Sequence, residues 1–284
     1  VLFIYFIHHV SSSLQVDSIV TDLRKATIRQ IEILKSNPHR CLGAADTMPG
    51  EDGGICFHGK TGYIQGIRME RLLEISSQMR QPFYLTCGLG DFVTESTPAL
   101  ARFRPEPDEE TRAEILDCFE VDYARLLDHD ISYGIREILD IALKAISPAI
   151  NDPTTAVMCL QNLTAIYESM AQGGWPQTCL IHENGEGAVY LPNNTPGDYL
   201  NLATDQLLYH SPGTPRVAQA LLEFLQKVRR LQLGENWRAR VDQKIEALRE
   251  AVDTQWDSAV WKKRLSPQTL VEIKKDSWRR ASNI

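Results

Sequence analysis

The chain has 284 residues, of which 43% are hydrophobic and 24% are charged. This composition is typical of a globular protein and excludes a disordered or collagen-like chain. The 30 Lys and Arg residues against 37 Asp and Glu residues give a formal net charge of −7. A chain with this balance lacks the broadly basic surface that neutralises phosphates, so no nucleic-acid partner is expected.

The six cysteines lie at wide and irregular spacings, with neither a C-x-x-C pair nor a zinc-type cluster of cysteines and histidines. They indicate reduced thiols, and the sequence predicts neither a metal nor another cofactor. The G-x-S-x-G, H-E-x-x-H and G-x-G-x-x-G signatures are also missing from the sequence. The common signatures of hydrolases, metalloproteases and dinucleotide-binding enzymes therefore point to no reaction.

The chain begins with an apolar run, Val1 to Ile7, which is followed by two histidines and three serines. Seven residues rise only about 10 Å in a helix, whereas the hydrocarbon core of a bilayer is about 30 Å thick. We interpret the run as the end of a transmembrane helix whose earlier part lies upstream of Val1. The alternative is a buried N-terminal strand.

Helical spacing continues beyond this run. The residues that recur at three- and four-residue steps are Val16, Val20, Leu23, Thr27 and Leu34. Basic residues lie within a few turns of the apolar run, and positive charge beside a membrane span marks its cytoplasmic side. The sequence therefore predicts one helix from Val1 to about Ser36 that leads from a membrane span into a cytoplasmic stalk, although an ordinary surface helix would give the same pattern.

The segment up to residue 107 has a β-rich pattern. Residues 38–54 contain Pro, Gly and Asp without a hydrophobic period and predict a loop. The residues that follow predict short strands around one helix. The order of these elements resembles the small barrel of lipoyl-type modules, which implies a small, barrel-like subdomain. The expected elements are strands at Gly62–Ile64 and Pro82–Thr86, a helix at Met69–Met79, and one strand that follows the turn at Gly90-Asp91 and ends near Leu100.

From residue 108 onward the hydrophobic pattern is helical. Asp108 is expected to cap a long helix whose apolar stripe runs from Ile115 to Leu127. Further helices are expected from Ile131 to Ile146 and from Pro153 to Gly173. Two or three more helices are expected after residue 191. A β-hairpin is expected at 178–191, with its turn at Asn184-Gly185.

These elements predict an α+β fold that is mainly helical. Its predicted parts are the end of a transmembrane helix with a stalk helix (1–37), a small β-rich, barrel-like subdomain (38–107), and a helical domain with a β-hairpin (108–284).

One segment matches a nucleotide-binding signature at every specified position. Gly54 to Thr61 satisfies G-x-x-x-x-G-K-[ST]. A phosphate-binding loop requires a buried strand before it and a helix after it, because the helix N-terminus presents the amides that bind phosphate. The preceding residues are turn-like, and the following ones contain two glycines and no helical period. We therefore expect an extended segment that leads into a strand and does not bind ATP.

The junction between two predicted helices, Ser147 to Ala156, is the first candidate site. Pro148 is expected to end one helix, and Asp152 to cap the next, which begins at Pro153. The alternative is a polar cluster that faces a ligand or an interface; its candidate residues are Asn151, Asp152, Thr154 and Thr155. Because the cap would occupy Asp152, we expect Asn151 to be the residue that faces a partner or a ligand.

Charged residues upstream form the second candidate set. Arg136, Asp140 and Lys144 follow one another at four-residue steps on a helix, so Arg136 and Asp140 are candidate ligand or interface residues, although a solvated surface explains the pattern equally well. Asp128, His129 and Asp130 form an acidic and histidine run. Successive helical residues point about 100° apart and cannot converge on one metal ion.

Several of these strings occur together in one order: Phe6-Ile7-His8-His9, Gly62-Tyr63-Ile64-Gln65, Gly90-Asp91-Phe92-Val93 and the run from Gly134 to Ala156. The chain thereby resembles an uncharacterised bacterial family of predicted membrane proteins, the domain of unknown function numbered twenty-two fifty-four. The resemblance implies that the protein lies in the bacterial inner membrane and that transmembrane helices precede Val1. The residues shown here would then form mainly its cytoplasmic part. It supplies no catalytic residues, and the chain departs from the family pattern at Lys144 and Ala149.

The expected function is that of a non-enzymatic cytoplasmic module that regulates or assembles a bacterial integral membrane protein, such as a pore, a transporter or a sensor. A homo-oligomer is expected. The alternative is a membrane-anchored enzyme that acts on a small anionic or phosphorylated substrate through Asn151, Asp152, Arg136 and His129.

Overall fold

A computed structural model of the protein describes residues 2–35, 54–57, 59–101, 107–125, 130–173, 179–183, 185–192, 194–234 and 236–255. Its first element is the helix α1, Leu2–Lys35, whose side chains are described for residues 16–33. The helix has no break, so the prediction of one continuous helix from the apolar run to about Ser36 is confirmed.

By their contacts, the described residues divide into two compact units. The helical unit contains residues 2–24, 135–171 and 196–255, and the mixed unit contains residues 25–134 and 172–195. Two helices, α1 and α4 (Ile131–Ala145), contribute residues to both units. The three-part division of the chain at residues 37 and 107 stays a prediction about segments that fold on their own.

The helical unit is built from helices and one short 3₁₀ turn. After α1 and α4 its elements are α5 (Pro153–Ala171), α6 (Pro196–His210), a 3₁₀ turn (Ser211–Gly213), α7 (Pro215–Val228) and α8 (Trp237–Gln255). The last two helices each bury apolar residues at helical spacing: Val217, Leu221, Phe224, Leu225 and Val228 on α7, and Val241, Ile245, Leu248 and Val252 on α8. Helical periodicity thus located the faces that form this core.

The mixed unit contains two open β-sheets with helices α2 (Met69–Met79) and α3 (Glu109–Asp117). Its strands are β1 (Ile55–Cys56), β2 (Gly62–Ile67), β3 (Phe83–Leu85), β4 (Phe92–Val93), β5 (Pro98–Ala101), β6 (Phe119–Asp122), β7 (Cys179–Ile181) and β8 (Ala188–Tyr190). The five-stranded sheet has the order β1-β5-β3-β8-β7, and the three-stranded sheet has the order β4-β2-β6. The α+β, mainly helical class is confirmed, but the strands that the structure describes do not close into a barrel.

One core joins both sheets to α2 and α3. Phe57 packs edge-on against Phe119 with ring centroids 5.1 Å apart, and both rings are buried. Leu72 of α2 and Phe83 of the five-stranded sheet are fully buried in the same cluster. The sheets therefore share buried apolar side chains without needing ring closure.

The expected strand from Gly90 to Leu100 is in fact two strands in different sheets. β4 pairs with β2, whereas β5 pairs with β1 and β3. Between them lies a turn in which the Thr97 amide donates to the Thr94 carbonyl (2.9 Å) and the Thr94 amide donates to Thr97 Oγ1 (2.9 Å). Threonine hydroxyls compete in this way with ladder hydrogen bonds, and the chain changes sheet.

The prediction of a long helix after Asp108 is also wrong beyond the first turns of that helix. Asp108 caps it as predicted, since its side chain accepts the Thr111 amide at 2.8 Å. Hydrogen bonding by the Thr111 side chain, and then by its amide, lowers the pKa of the Asp108 carboxyl group. The helix ends at Asp117, and β6 follows, in register with β2. The aromatic and β-branched residues of β6 are compatible with either a strand or a helical stripe. They form a strand because β6 pairs with β2, which is distant in the sequence.

The predicted hairpin at 178–191 is confirmed as the antiparallel pair β7 and β8. Gly185 adopts φ +72°, a left-handed conformation that glycine tolerates at a tight turn. Asn184, the other predicted turn residue, lies outside the described residues. The hairpin extends the five-stranded sheet, because β8 pairs in parallel with β3.

Candidate functional site

The junction between α4 and α5 is a compact turn built on backbone hydrogen bonds. The Asn151 amide donates to the Ser147 carbonyl at 2.9 Å, and the Asp152 amide donates to the Ala145 carbonyl at 2.7 Å. The turn exposes Pro148, Ala149 and Ile150, and Ile150 is 59% exposed. The end of one helix is thereby connected to the start of the next, and an apolar tip faces solvent.

Asp152 is the N-cap of α5. Its Oδ1 accepts the amides of Thr154 (3.1 Å) and Thr155 (3.2 Å), and its Oδ2 accepts the Thr155 hydroxyl at 2.6 Å. These bonds satisfy donors that have no partner within the helix. The predicted cap geometry is confirmed; a ligand-binding or interface role of the four candidate residues stays a prediction.

Asn151 has a structural role that the sequence reading did not assign. It adopts φ +49°, a left-handed conformation that costs most residues energy and that Asn and Gly tolerate best. Its side chain is exposed. The turn therefore favours Asn151 for its backbone, whether or not its amide contacts a partner.

Replacing Asp152 with alanine is expected to lower the free energy of unfolding by about 0.5–2 kcal/mol, because the first turn of α5 loses its cap. Asn151→Gly is the matched control, since glycine adopts the same left-handed conformation without strain and should leave stability nearly unchanged. Urea denaturation followed by circular dichroism measures both. If Asp152→Ala and wild type had the same free energy of unfolding, the cap would not contribute to stability.

Arg136 and Asp140 pair with each other one turn apart on α4. Their side chains are 3.6 Å apart and 41% and 40% exposed. An exposed pair at this spacing contributes only about 0.3–0.5 kcal/mol. On α7, Arg216 donates to the Thr154 hydroxyl at 3.4 Å, which adds a guanidinium beside the junction that the sequence reading did not anticipate.

A buried ion pair at the start of α4 was missed by sequence reasoning. Asp130 is 6% exposed; its Oδ1 accepts the Tyr133 amide at 3.0 Å, and its Oδ2 accepts Arg125 Nε at 2.7 Å. The Arg125 guanidinium lies 5.2 Å from the centre of the Tyr133 ring. A side chain at Gly90, which has φ +82°, would collide with this pair. Asp128 and His129 lie outside the described residues, so Asp130 is a helix cap and the role of His129 stays a prediction.

Asp130 gives a pH-dependent prediction. Burial raises the pKa of its carboxyl group more than Arg125 lowers it. Because the folded-state pKa is the higher one, the group's contribution to stability is complete below the unfolded value of about 3.9 and is lost as the pH rises through the folded-state pKa. Above about pH 4, the unfolding free energy of wild type should therefore fall relative to that of Asp130→Asn as the pH rises through the folded-state pKa. Urea denaturation at a series of pH values tests this, and a constant difference would contradict the raised pKa.

The segment that matches the nucleotide-binding signature has the extended geometry predicted for it. β1 occupies its second and third residues, and β2 begins directly after Thr61. Lys60 Nζ donates to the carbonyls of Leu116 (3.1 Å) and Phe119 (3.2 Å), near the C-terminus of α3. A cation is favourable at that end of a helix, where carbonyl groups have no intrahelical partners. Lys60 thus ties the segment to α3.

Lys60→Met is expected to lower the free energy of unfolding by about 1 kcal/mol, since it keeps the aliphatic part of the side chain and removes the bonds to two carbonyls. ATP with Mg²⁺ should shift the melting temperature of neither wild type nor variant. Nucleotide-dependent stabilisation of wild type that Lys60→Met abolishes would contradict this, because a ligand that binds only the folded state must stabilise it.

No metal centre stands out in the part of the chain that the structure describes, and two of its thiols are deeply buried. No group of three or more His, Cys, Asp or Glu side chains in these ranges could hold a metal ion. Cys87 and Cys159 are buried, and burial raises the pKa of each thiol to about 12. Thiols of this kind are poor nucleophiles.

The family described as Predicted membrane protein (DUF2254) matches residues 1–227. The chain belongs to this family. Two curated relatives of this DUF2254 chain are the uncharacterized proteins Rv1290c of Mycobacterium tuberculosis and Mb1321c of Mycobacterium bovis, each 29% identical to it over 234 residues. The match covers 79% of this chain and 44% of each relative, so the chain spans less than half the length of the relatives. No solved structure matches it at a significant level.

Membership of the DUF2254 family confirms the resemblance that the sequence motifs together predicted. Across the described ranges, no helix combines the length and the apolar character that a membrane crossing requires.

Proposed function

We propose that this chain is a regulatory or assembly module of a bacterial integral membrane protein, that it lies on the cytoplasmic side of the membrane, and that it catalyses no reaction. Membership of a family of predicted membrane proteins supports the membrane association. The basic residues of α1 support the cytoplasmic side, because Lys and Arg near a membrane span favour that side.

The single observation that carries the proposal is the way α1 packs. The helix has 34 residues and is therefore about 51 Å long. In the helical unit, Val20 is fully buried and Arg24 Nε donates to Asn162 Oδ1 of α5 at 2.9 Å. In the mixed unit, Thr27 and Ile31 are buried. One continuous helix thus contributes buried residues to each unit, which suits a module controlled by, or controlling, a membrane segment.

Vesicle labelling of the intact protein tests the proposed side of the membrane. A reporter cysteine, Glu95→Cys, is placed in an exposed turn of a variant in which Cys41 and Cys56 are changed to serine. Glu95→Cys should react with a membrane-impermeant maleimide in inside-out vesicles and not in right-side-out vesicles. The native Cys159 is the internal control, because a fully buried thiol reacts only after denaturation. Labelling from the outside would overturn the cytoplasmic placement.

A further inference from the structure

The outer face of the three-stranded sheet carries an exposed aromatic pair. Tyr63 of β2 and Phe92 of β4 are paired across the strands, and their rings meet edge to face with centroids 5.0 Å apart. Phe92 is 57% exposed, whereas Ile64 and Val93 on the other face are buried. The sheet thus has one face in the core and one apolar, aromatic face in solvent.

Two carboxylates lie on the same face. Asp122 of β6 is opposite Tyr63 in the register, and Glu120 is opposite Gly66. The Glu120 carboxylate lies over Gly66, where a side chain would collide with it. Both carboxylates are exposed, and neither makes an ion pair with the part of the chain that the structure describes. We call Tyr63, Phe92, Glu120 and Asp122 the acidic aromatic face.

The chain itself contains a segment of complementary chemistry. Residues 261–280 include seven Lys and Arg residues against two Asp and Glu residues, a formal charge of +5 in a chain of net charge −7. The segment begins with Trp261-Lys262-Lys263-Arg264. Lys and Arg bind exposed carboxylates and also pack over aromatic rings, so an acidic aromatic surface is suited to a basic segment of this composition.

We propose that the acidic aromatic face binds the basic segment 261–280 of a second copy of this chain. An exchange of identical segments between two copies makes two equal contacts about a two-fold axis and closes the assembly. The inference deepens the assembly role proposed above and rests on it for its biological meaning. The dimer itself is measured without reference to the side of the membrane, so the two proposals fail separately.

The test is the mass of the full chain in mild detergent, measured by light scattering as a function of concentration and salt. Two charge reversals are compared: Glu120→Lys with Asp122→Lys on the face, and Lys262→Glu with Lys263→Glu and Arg264→Glu in the segment. Glu168→Lys with Glu250→Lys is the control, since it makes the same change in charge at exposed positions on α5 and α8. Thermal unfolding verifies that each variant folds.

Wild type and control should dimerise at about 50 mM salt and dissociate at about 1 M, where charges are screened beyond about 3 Å. Each reversal alone should weaken the dimer at least tenfold, and Phe92→Ala should weaken it while leaving thermal unfolding unchanged. An equimolar mixture of the two reversed chains should restore the dimer, because each face then meets a segment of opposite charge. A monomeric wild type, or a mixture of reversed chains that stays monomeric, would overturn the proposal.

Discussion

Replacing Tyr167 with alanine is expected to lower the free energy of unfolding by about 3–5 kcal/mol, the range for removing a large buried aromatic side chain. The Tyr167 ring is fully buried, packs edge-on against Phe224 at 5.5 Å, and lies 6.4 Å from the Trp237 ring. Its hydroxyl donates to the Tyr199 carbonyl at 2.6 Å. Alanine leaves a cavity and removes the hydrogen bond to the Tyr199 carbonyl.

Two variants separate these contributions. Tyr167→Phe keeps the ring and removes the hydrogen bond, so it should cost about 0.5–1.5 kcal/mol. Tyr209→Ala is the control, because Tyr209 is 79% exposed and surface changes usually stay within about 0.5 kcal/mol. Urea denaturation measures all three variants. A Tyr167→Ala variant as stable as Tyr209→Ala would show that the ring cluster does not support the helical unit.

Replacing Gly134 with alanine is expected to destabilise the protein by about 1–3 kcal/mol, the usual cost of overpacking. In an ordinary helix interior the same change would stabilise by about 1 kcal/mol. Here the new methyl group would collide with the Thr27 side chain, which is 1% exposed in α1. The sign of the effect therefore reports whether α1 crosses α4 as closely as the structure has it.

A double-mutant cycle with Thr27→Ala tests this crossing. Thr27→Ala removes the hydroxyl that the methyl group meets, so the double variant should be more stable than the sum of the two single changes predicts. Urea denaturation gives the four free energies. Additive effects, or a stabilising Gly134→Ala, would contradict the close approach.

The elements that the sequence predicted well are those fixed by neighbouring residues. The α2 helix has the predicted bounds, and the caps at Asp108 and Asp152 form as expected, because a cap requires only a side chain and the amides two or three residues later. The predicted parts of the candidate site are accordingly its local ones.

The elements that the sequence predicted poorly depend on distant partners. β6 is a strand because β2 lies beside it, and Asp130 is buried because Arg125 and Gly90 surround it. The turn between Thr94 and Thr97 separates β4, which pairs in the three-stranded sheet, from β5, which pairs in the five-stranded sheet. Single-sequence periodicity carries no information about such pairings, since the same residues satisfy either a helical or a strand pattern.

The parallel pairing of β3 with β8 has a consequence for the order of folding. Phe83 pairs with Val189, and the chain between them includes α3, β6, α4 and α5. The strands β1, β3 and β5 leave the ribosome before β8, so the sheet has an open edge while the residues between β5 and β8 are synthesised. Pairings between distant strands form slowly, and unpaired edges aggregate. Chains halted before residue 188 should therefore be recognised by chaperones, whereas chains released after residue 190 can close this edge of the sheet.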